Sequence, residues 1–243
     1  MLDFLMISAR STKRGTIEIY PKFIIKKSSD LMIRGGDFYA IWDEELGLWS
    51  TDEQDALQLI DKELTKYLEE NRSKFDSSVK VLYMWDAENN MIDSWHKYCQ
   101  RQMRDSFHIL DEKLIFSNTE TTKKDYASKK LTYPLEECNT PAYDKLISTL
   151  YSEEERKKIE WAIGSIVCGD SKKIQKFIVL YGAPGTGKST ILDVIQQLFE
   201  GYYSVFDARA LGSSSNSFAL EAFKTNPLVA IQHDGDLSRI EDN

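Results

Sequence analysis

Residues 182–189 read Gly-Ala-Pro-Gly-Thr-Gly-Lys-Ser. This is the spacing G-x-x-x-x-G-K-[ST], which suits a loop that cradles phosphate. Triphosphate oxygens need many donors at close range. Glycines let the backbone turn sharply and present N–H groups inward with no Cβ in the way. The N-terminus of a following helix adds partial positive charge. Lys188 would reach the β- and γ-phosphates, and the Ser189 hydroxyl would sit on Mg²⁺. The candidate nucleotide-binding residues are therefore Gly182, Ala183, Pro184, Gly185, Thr186, Gly187, Lys188, Ser189 and Thr190.

Hydrolysis needs a second element, an acidic residue at the end of a neighbouring strand. The segment "PLVAIQHDGDL" supplies Asp234 and, two residues on, Asp236. Asp234 is the candidate second metal residue beside Ser189. Lys188, Asp234 and Asp236 are the candidate catalytic set. Two extended residues at that spacing share one face, because strand side chains alternate with period two. A break at Gly235 would separate them. His233 reads more readily as a satisfied structural histidine than as a phosphate contact. Lys172, Lys173 and Lys176 read as a solvated strand entry.

The flanking segments fit this chemistry. "KFIVLYG" is a continuous apolar run, as expected of a parallel strand buried on both faces. After the loop, Ile191, Val194, Ile195 and Leu198 recur at helical spacing, and Gly201 is placed to stop the helix. Upstream, Ser152 and Glu155 form a capping box. It opens a helix with Ile159, Ala162, Ile163 and Ile166 on one side, ending at Gly169. From about residue 151 the order is β-α-β, which favours a parallel sheet.

Residues 1–150 read as a mixed α+β domain. Residues 16–50 are strand-rich, with turns at Gly35-Gly36 and at "DEELG". Thr51 and Gln54 have capping-box spacing and open a helix that carries Leu57, Ile60, Leu64 and Tyr67. "VKVLYMW" is a candidate strand. "AENNMIDSWHKYCQRQM" is a candidate helix with Met91, Trp95 and Tyr98 on one face. "FHILDEKLIFSN" suggests a hairpin or two short strands. The polar stretch 118–130 is the best loop or boundary candidate, and Pro134 and Pro141 bracket an irregular segment.

Bulk composition narrows the class. The chain has 243 residues, 42% apolar and 29% charged, which fits a folded globule and excludes collagen-like or wholly disordered chains. Three widely spaced cysteines do not make a disulfide framework, so a reducing, cytoplasmic setting is expected. His96 and Cys99 lie one helical turn apart, but no second pair follows to complete a zinc site. No apolar stretch approaches the ~20 residues of a membrane span. "MLDFLMISAR" lacks the basic leader of a signal peptide.

Residues 151–243, with the loop and the "HDGD" segment, resemble the phage and plasmid primase-helicases of helicase superfamily 3. These are AAA+ proteins related to the poxvirus primase-helicase. The interval from Lys188 to Asp234 is short, as in that family. Residues 30–150 are similar, more weakly, to the region that precedes the helicase core. The fold expected is an α/β P-loop (AAA+-like) parallel-sheet core, incomplete at the C-terminus, preceded by a mixed α+β N-terminal domain. The boundaries expected are 1–150 and 151–243.

The resemblance implies an ATP- and Mg²⁺-dependent DNA helicase of bacteriophage or mobile-element replication. It implies a homo-oligomer, usually a hexameric ring, that moves on single-stranded DNA in the cytoplasm of the host. Gly182, Gly187, Lys188 and Ser189 carry over as the nucleotide loop, and Asp234 as an acid of the second motif. Where the family often has two adjacent acids, this chain has His233-Asp234. The sensor residue, DNA-contacting hairpin and arginine finger would lie beyond Asn243, so this stretch alone is expected to turn over ATP slowly. No priming centre is recognisable in 1–150. Two other classes share the loop, a nucleotide kinase-like phosphotransferase and a non-enzymatic ATP-dependent assembly module. Only Arg209 and Arg239 follow the loop, which argues against an arginine-rich kinase lid.

The formal net charge is −8, divided as −5 over residues 1–150 and −3 over 151–243. Neither half is a basic DNA-coating surface overall, so tight DNA binding at physiological salt is not expected of this chain.

Overall fold

Apolar and polar residues alternate along Ile17–Phe23, and that alternation builds the first sheet. The computed structural model describes residues 2–24, 28–33, 39–75, 78–86, 90–102, 108–207, 220–224 and 226–233. Strand β1 (Leu5–Ser11) pairs antiparallel with β2 (Ile17–Phe23) along all seven residues. Two short strands follow, β3 (Leu31–Ile33) and β4 (Tyr39–Asp43), and then β5 (Leu48–Ser50). They form a separate antiparallel sheet in the order β3-β4-β5. The turn at "DEELG" closes through the Gly47 N–H, which donates to the Asp43 carbonyl at 2.9 Å. The turn expected at Gly35-Gly36 lies outside the described residues.

Helix α1 (Glu53–Asn71) buries Ala56, Leu57, Ile60 and Leu64. Its cap is Asp52, whose carboxylate accepts from the Gln54 N–H at 2.9 Å, so the helix starts one residue later than a Thr51 cap would place it. Strand β6 (Val79–Val81) adds to β2 in parallel and completes a sheet ordered β1-β2-β6. Helix α2 (Met91–Gln102) puts Trp95 and Tyr98 into the core, as their spacing requires. Trp95 is fully buried, and its indole N–H donates to the Tyr39 hydroxyl at 2.9 Å. One core cluster thus joins Phe4, Ile19, Ile41, Ile60, Leu64, Met84 and Trp95.

By contact, the chain packs as two units. One comprises residues 1–110 with 120–128, and the other 111–119 with 129–243. Residues 108–118 form neither the expected hairpin nor two short strands. Ile115 and Ser117 instead bond across to Leu131 and Tyr133, at 2.7 and 3.1 Å, so the partner is distant in sequence.

In the second unit, α3 (Pro141–Leu150) and α4 (Glu153–Val167) are held together by Arg156. Its guanidinium bridges Asp144 at 2.6 Å and Glu160 at 2.7 Å. The expected capping box at Ser152 and Glu155 is formed. Helix α4 ends where Gly169 takes φ +72°, and the N–H groups of Asp170 and Gly169 bond the Ser165 and Ile166 carbonyls. That is the αL stop expected of glycine past a helix end. A single turn, α5 (Ser171–Ile174), follows. Helix α6 (Lys188–Leu198) buries Ile191, and the adjacent Phe199 is buried too. Strands β7 (Tyr203–Val205) and β8 (Val229–Ile231) pair in parallel.

The run 177–181 departs from expectation. It is not a strand, and Phe177 and Tyr181 are 87% and 99% exposed. A doubly buried strand needs hydrogen-bonded neighbours and cover on both faces. Among the described residues β8 pairs only with β7, and no strand is bonded to 177–181. A cleft of about 300 Å³ lies there, lined by Phe177, Ile178 and Leu180, by residues 228–232, and by parts of α4 and α6.

Candidate functional site

The loop at 182–189 leads directly into α6. Gly185 and Gly187 both adopt left-handed backbone, at φ +78° and +81°. This is where the two glycines are needed, since other residues pay strain there. Gly187 is doubly constrained. A Cβ on it would lie 2.7 Å from Leu150 Cδ1.

Gly187 also occupies the N-cap position and brings no side-chain oxygen to it. The first-turn N–H groups of α6 therefore have no side-chain cap, which leaves them to an anion. The Tyr151 hydroxyl donates to the Gly187 carbonyl at 3.1 Å. Burial and the nearby Glu155 charge push the Tyr151 pKa upward, so the phenol remains a donor. Leu150 and Tyr151, at the joint of α3 and α4, thus fix the position of the loop from behind. Nothing in the motif spacing points to either residue.

The Lys188 ammonium folds back over the loop. It donates to the Gly182 carbonyl at 2.9 Å and the Ala183 carbonyl at 2.8 Å, with a longer contact of 3.4 Å to Thr186 Oγ1. The Thr186 hydroxyl donates in turn to the Ala183 carbonyl at 2.9 Å. An ammonium carries three protons. Two are committed to loop carbonyls, and the third makes only the long contact. That third donor is the one a phosphate oxygen can take. Ser189 and Thr190 are exposed at the start of α6. Backbone donors, one ammonium and an exposed hydroxyl at a helix N-terminus fit a magnesium-bound polyphosphate.

The structure brings Gly182, Ala183, Pro184, Gly185, Thr186, Gly187, Lys188, Ser189 and Thr190 into this one turn. Asp234 and Asp236 lie outside the described residues. The strand expected to carry them is present as β8, and His233 just past it contacts Gln196 of α6, ring Nε2 to amide Nε2 at 2.6 Å. His233 is exposed there. Lys173 pairs with Asp170 at 2.7 Å and is 82% exposed; it is solvated as expected, but it lies in α5 and leads into no strand, so the expected strand entry is not formed.

His96 is bonded to Glu53 at 2.6 Å, while Cys99 is buried, with its thiol pushed up to about 12 by desolvation. Among the described residues no group of three or more His, Cys, Asp or Glu could hold a metal ion. No helix of the described residues is long and apolar enough to cross a membrane. Neither a family model nor a curated protein matches the chain.

Proposed function

We propose that the chain binds ATP with Mg²⁺ on the 182–190 loop, as part of a replicative DNA helicase of the primase-helicase type that hydrolyses it. One observation carries the nucleotide part: glycine-enforced turns at 185 and 187 leave the α6 N-terminus without a side-chain cap, with the Lys188 ammonium held over it. The helicase part rests on the resemblance of 151–243.

In this reading the backbone N–H groups of the loop and of the first turn of α6 hold the β-phosphate. Lys188 keeps its bonds to Gly182 and Ala183 and turns its third proton to the γ-phosphate. Ser189 offers its hydroxyl to the metal. A Mg²⁺ ion held there would supply charge neutralisation at the phosphoryl oxygens during attack by water. Asp234 orients the metal or the water, and Asp236 is the alternative residue for that task. Strand separation would follow in a homo-oligomeric ring closed around single-stranded DNA.

A fluorescent ATP analogue titrated in Mg²⁺ tests this. Lys188→Ala is expected to weaken binding at least tenfold, about 1.4 kcal/mol. Ser189→Ala is expected to weaken it in Mg²⁺ but not in EDTA. Equal affinity of wild type and Lys188→Ala would sink the nucleotide reading. Phosphate release unaffected by single-stranded DNA in the complete helicase assembly would sink the helicase part.

A further inference from the structure

The β1-β2-β6 sheet turns one face to the core and leaves the other open. Leu5, Ile7, Ile19, Phe23, Val79 and Val81 belong to the core cluster or pack against it. By alternation, the opposite face carries Met6, Ser8 and Arg10 from β1, Glu18, Tyr20 and Lys22 from β2, and Lys80 from β6. The turn between β1 and β2 adds Lys13 and Arg14, both exposed.

Segments 5–23 and 78–81 thus hold five cations, Arg10, Lys13, Arg14, Lys22 and Lys80, against one carboxylate, Glu18. The surrounding residues 1–150 are net −5. A positive face inside an acidic domain is a local segregation of charge, and it selects a polyanion.

The arrangement says which polyanion. Tyr20 lies on the central strand with the Arg10 guanidinium 5.2 Å from its ring centroid. Glu18 holds Arg10 in place at 2.8 Å. This gives a fixed planar cation on an aromatic ring, the kind of surface on which an unpaired base stacks. An acidic membrane is the poorer partner. Among the described residues Met6, 41% exposed, is the only large exposed hydrophobic residue on this face, so there is little to insert among acyl chains.

We propose that the solvent face of the β1-β2-β6 sheet is a docking surface for single-stranded nucleic acid, with phosphates on Lys13, Arg14 and Lys22 and a base on the Arg10–Tyr20 platform. The inference deepens the helicase reading by naming where a strand lies, and rests on that reading for the kind of nucleic acid.

The test titrates the full chain with labelled oligothymidylate and, in parallel, with heparin, a polyanion without bases. Three phosphate contacts predict that log affinity falls with log salt at a slope of about −2, or about −0.7 per contact. Lys13→Gln with Lys22→Gln is expected to reduce that slope by about 1.4. Tyr20→Ala is expected to weaken oligothymidylate about tenfold and leave heparin unchanged. If Tyr20→Ala lowers the melting temperature, Tyr20→Trp replaces it, and is expected to bind oligothymidylate at least as tightly as wild type.

Unchanged slope and affinity in the double lysine variant overturns the proposal. So does equal weakening of both probes at position 20, or a preference for phosphatidylcholine–phosphatidylserine vesicles over oligothymidylate. Failure to bind oligothymidylate with Mg·ATP binding intact removes this surface alone. Failure to bind Mg·ATP with oligothymidylate binding intact removes the nucleotide reading alone.

Discussion

Two apolar runs in this chain meet opposite fates. Residues 17–23 become β2, with β1 on one edge and β6 on the other, and Ile19 fully buried. Residues 177–181 are more apolar, yet Phe177, Ile178, Val179 and Tyr181 are exposed, with no hydrogen-bonded strand beside them among the described residues. The difference is not in the runs' own propensity. A strand is stabilised by its ladder and by cover on its faces, and both come from elsewhere in the chain. Hydrophobic pattern states the environment a segment would suit, while its neighbours decide whether it gets one.

The largest expected effect lies on the well-buried side of that comparison. Trp95→Ala removes the centre of the aromatic cluster and is expected to destabilise the first unit by about 3–5 kcal/mol, read by denaturant unfolding. A cost below 1 kcal/mol would mean that this core is looser than its contacts indicate.

On the other side, Gly187→Ala forces an alanine into φ +81° against Leu150. It is expected to cost about 1–3 kcal/mol, with loss of ATP-analogue binding. A neutral result would show that the loop is free to reshape, and would weaken the contrast with the rigid first unit.

Alkaline pH acts on both units. In the second, burial pushes the Tyr202 phenol from 10.0 up to about 12, and its hydroxyl donates to the Lys129 carbonyl at 2.7 Å. The folded state favours the neutral phenol. The stabilisation is full below pH 10 and is lost as pH rises towards 12. Tyr202→Phe is expected to lower stability at neutral pH and to flatten that alkaline loss. An unchanged pH profile in the variant would assign the loss to other phenols raised by burial, Tyr39 and Tyr98 in the first unit or Tyr133, Tyr143 and Tyr151 in the second.

Thiol reactivity sharpens the same contrast. Cys138 and Cys168 are exposed, and Cys99 is buried. A thiol reagent near pH 8 is expected to modify the first two in the folded chain and Cys99 only after denaturation. The smallest expected effect is that of Phe177→Ala, within about 0.5 kcal/mol of wild type. A loss of about 3 kcal/mol or more would place Phe177 in a core, and the two runs would then be alike.

Much of the local structure was legible because it rests on neighbours within a turn or two. The stripe of α1, the Trp95 face of α2, the capping box of α4 and its glycine stop all depend on contacts three to six residues apart. Strand β1 was missed: its pairing is with β2, and its last three residues, Ala9, Arg10 and Ser11, are exposed on both faces and blunt the pattern. Helix α3 gave only Pro141 at its first position as a signal. The loop at 182–189 was legible as a motif because glycine and lysine are required there by geometry. Leu150 and Tyr151 behind it were not, since nothing in an alternating or helical period says which side chains back a distant turn.

The self-bonded Lys188 has a consequence for association. A lysine side chain gives up roughly 1.5–2 kcal/mol of rotamer entropy when ordered. Here folding has already ordered it, on the Gly182 and Ala183 carbonyls. A phosphate arriving at the loop meets a cation already in position, and that ordering cost is absent from the binding equilibrium. The ammonium also neutralises carbonyl oxygens that would otherwise repel the incoming anion, so removing it would leave the loop both unpaired and hostile to its ligand.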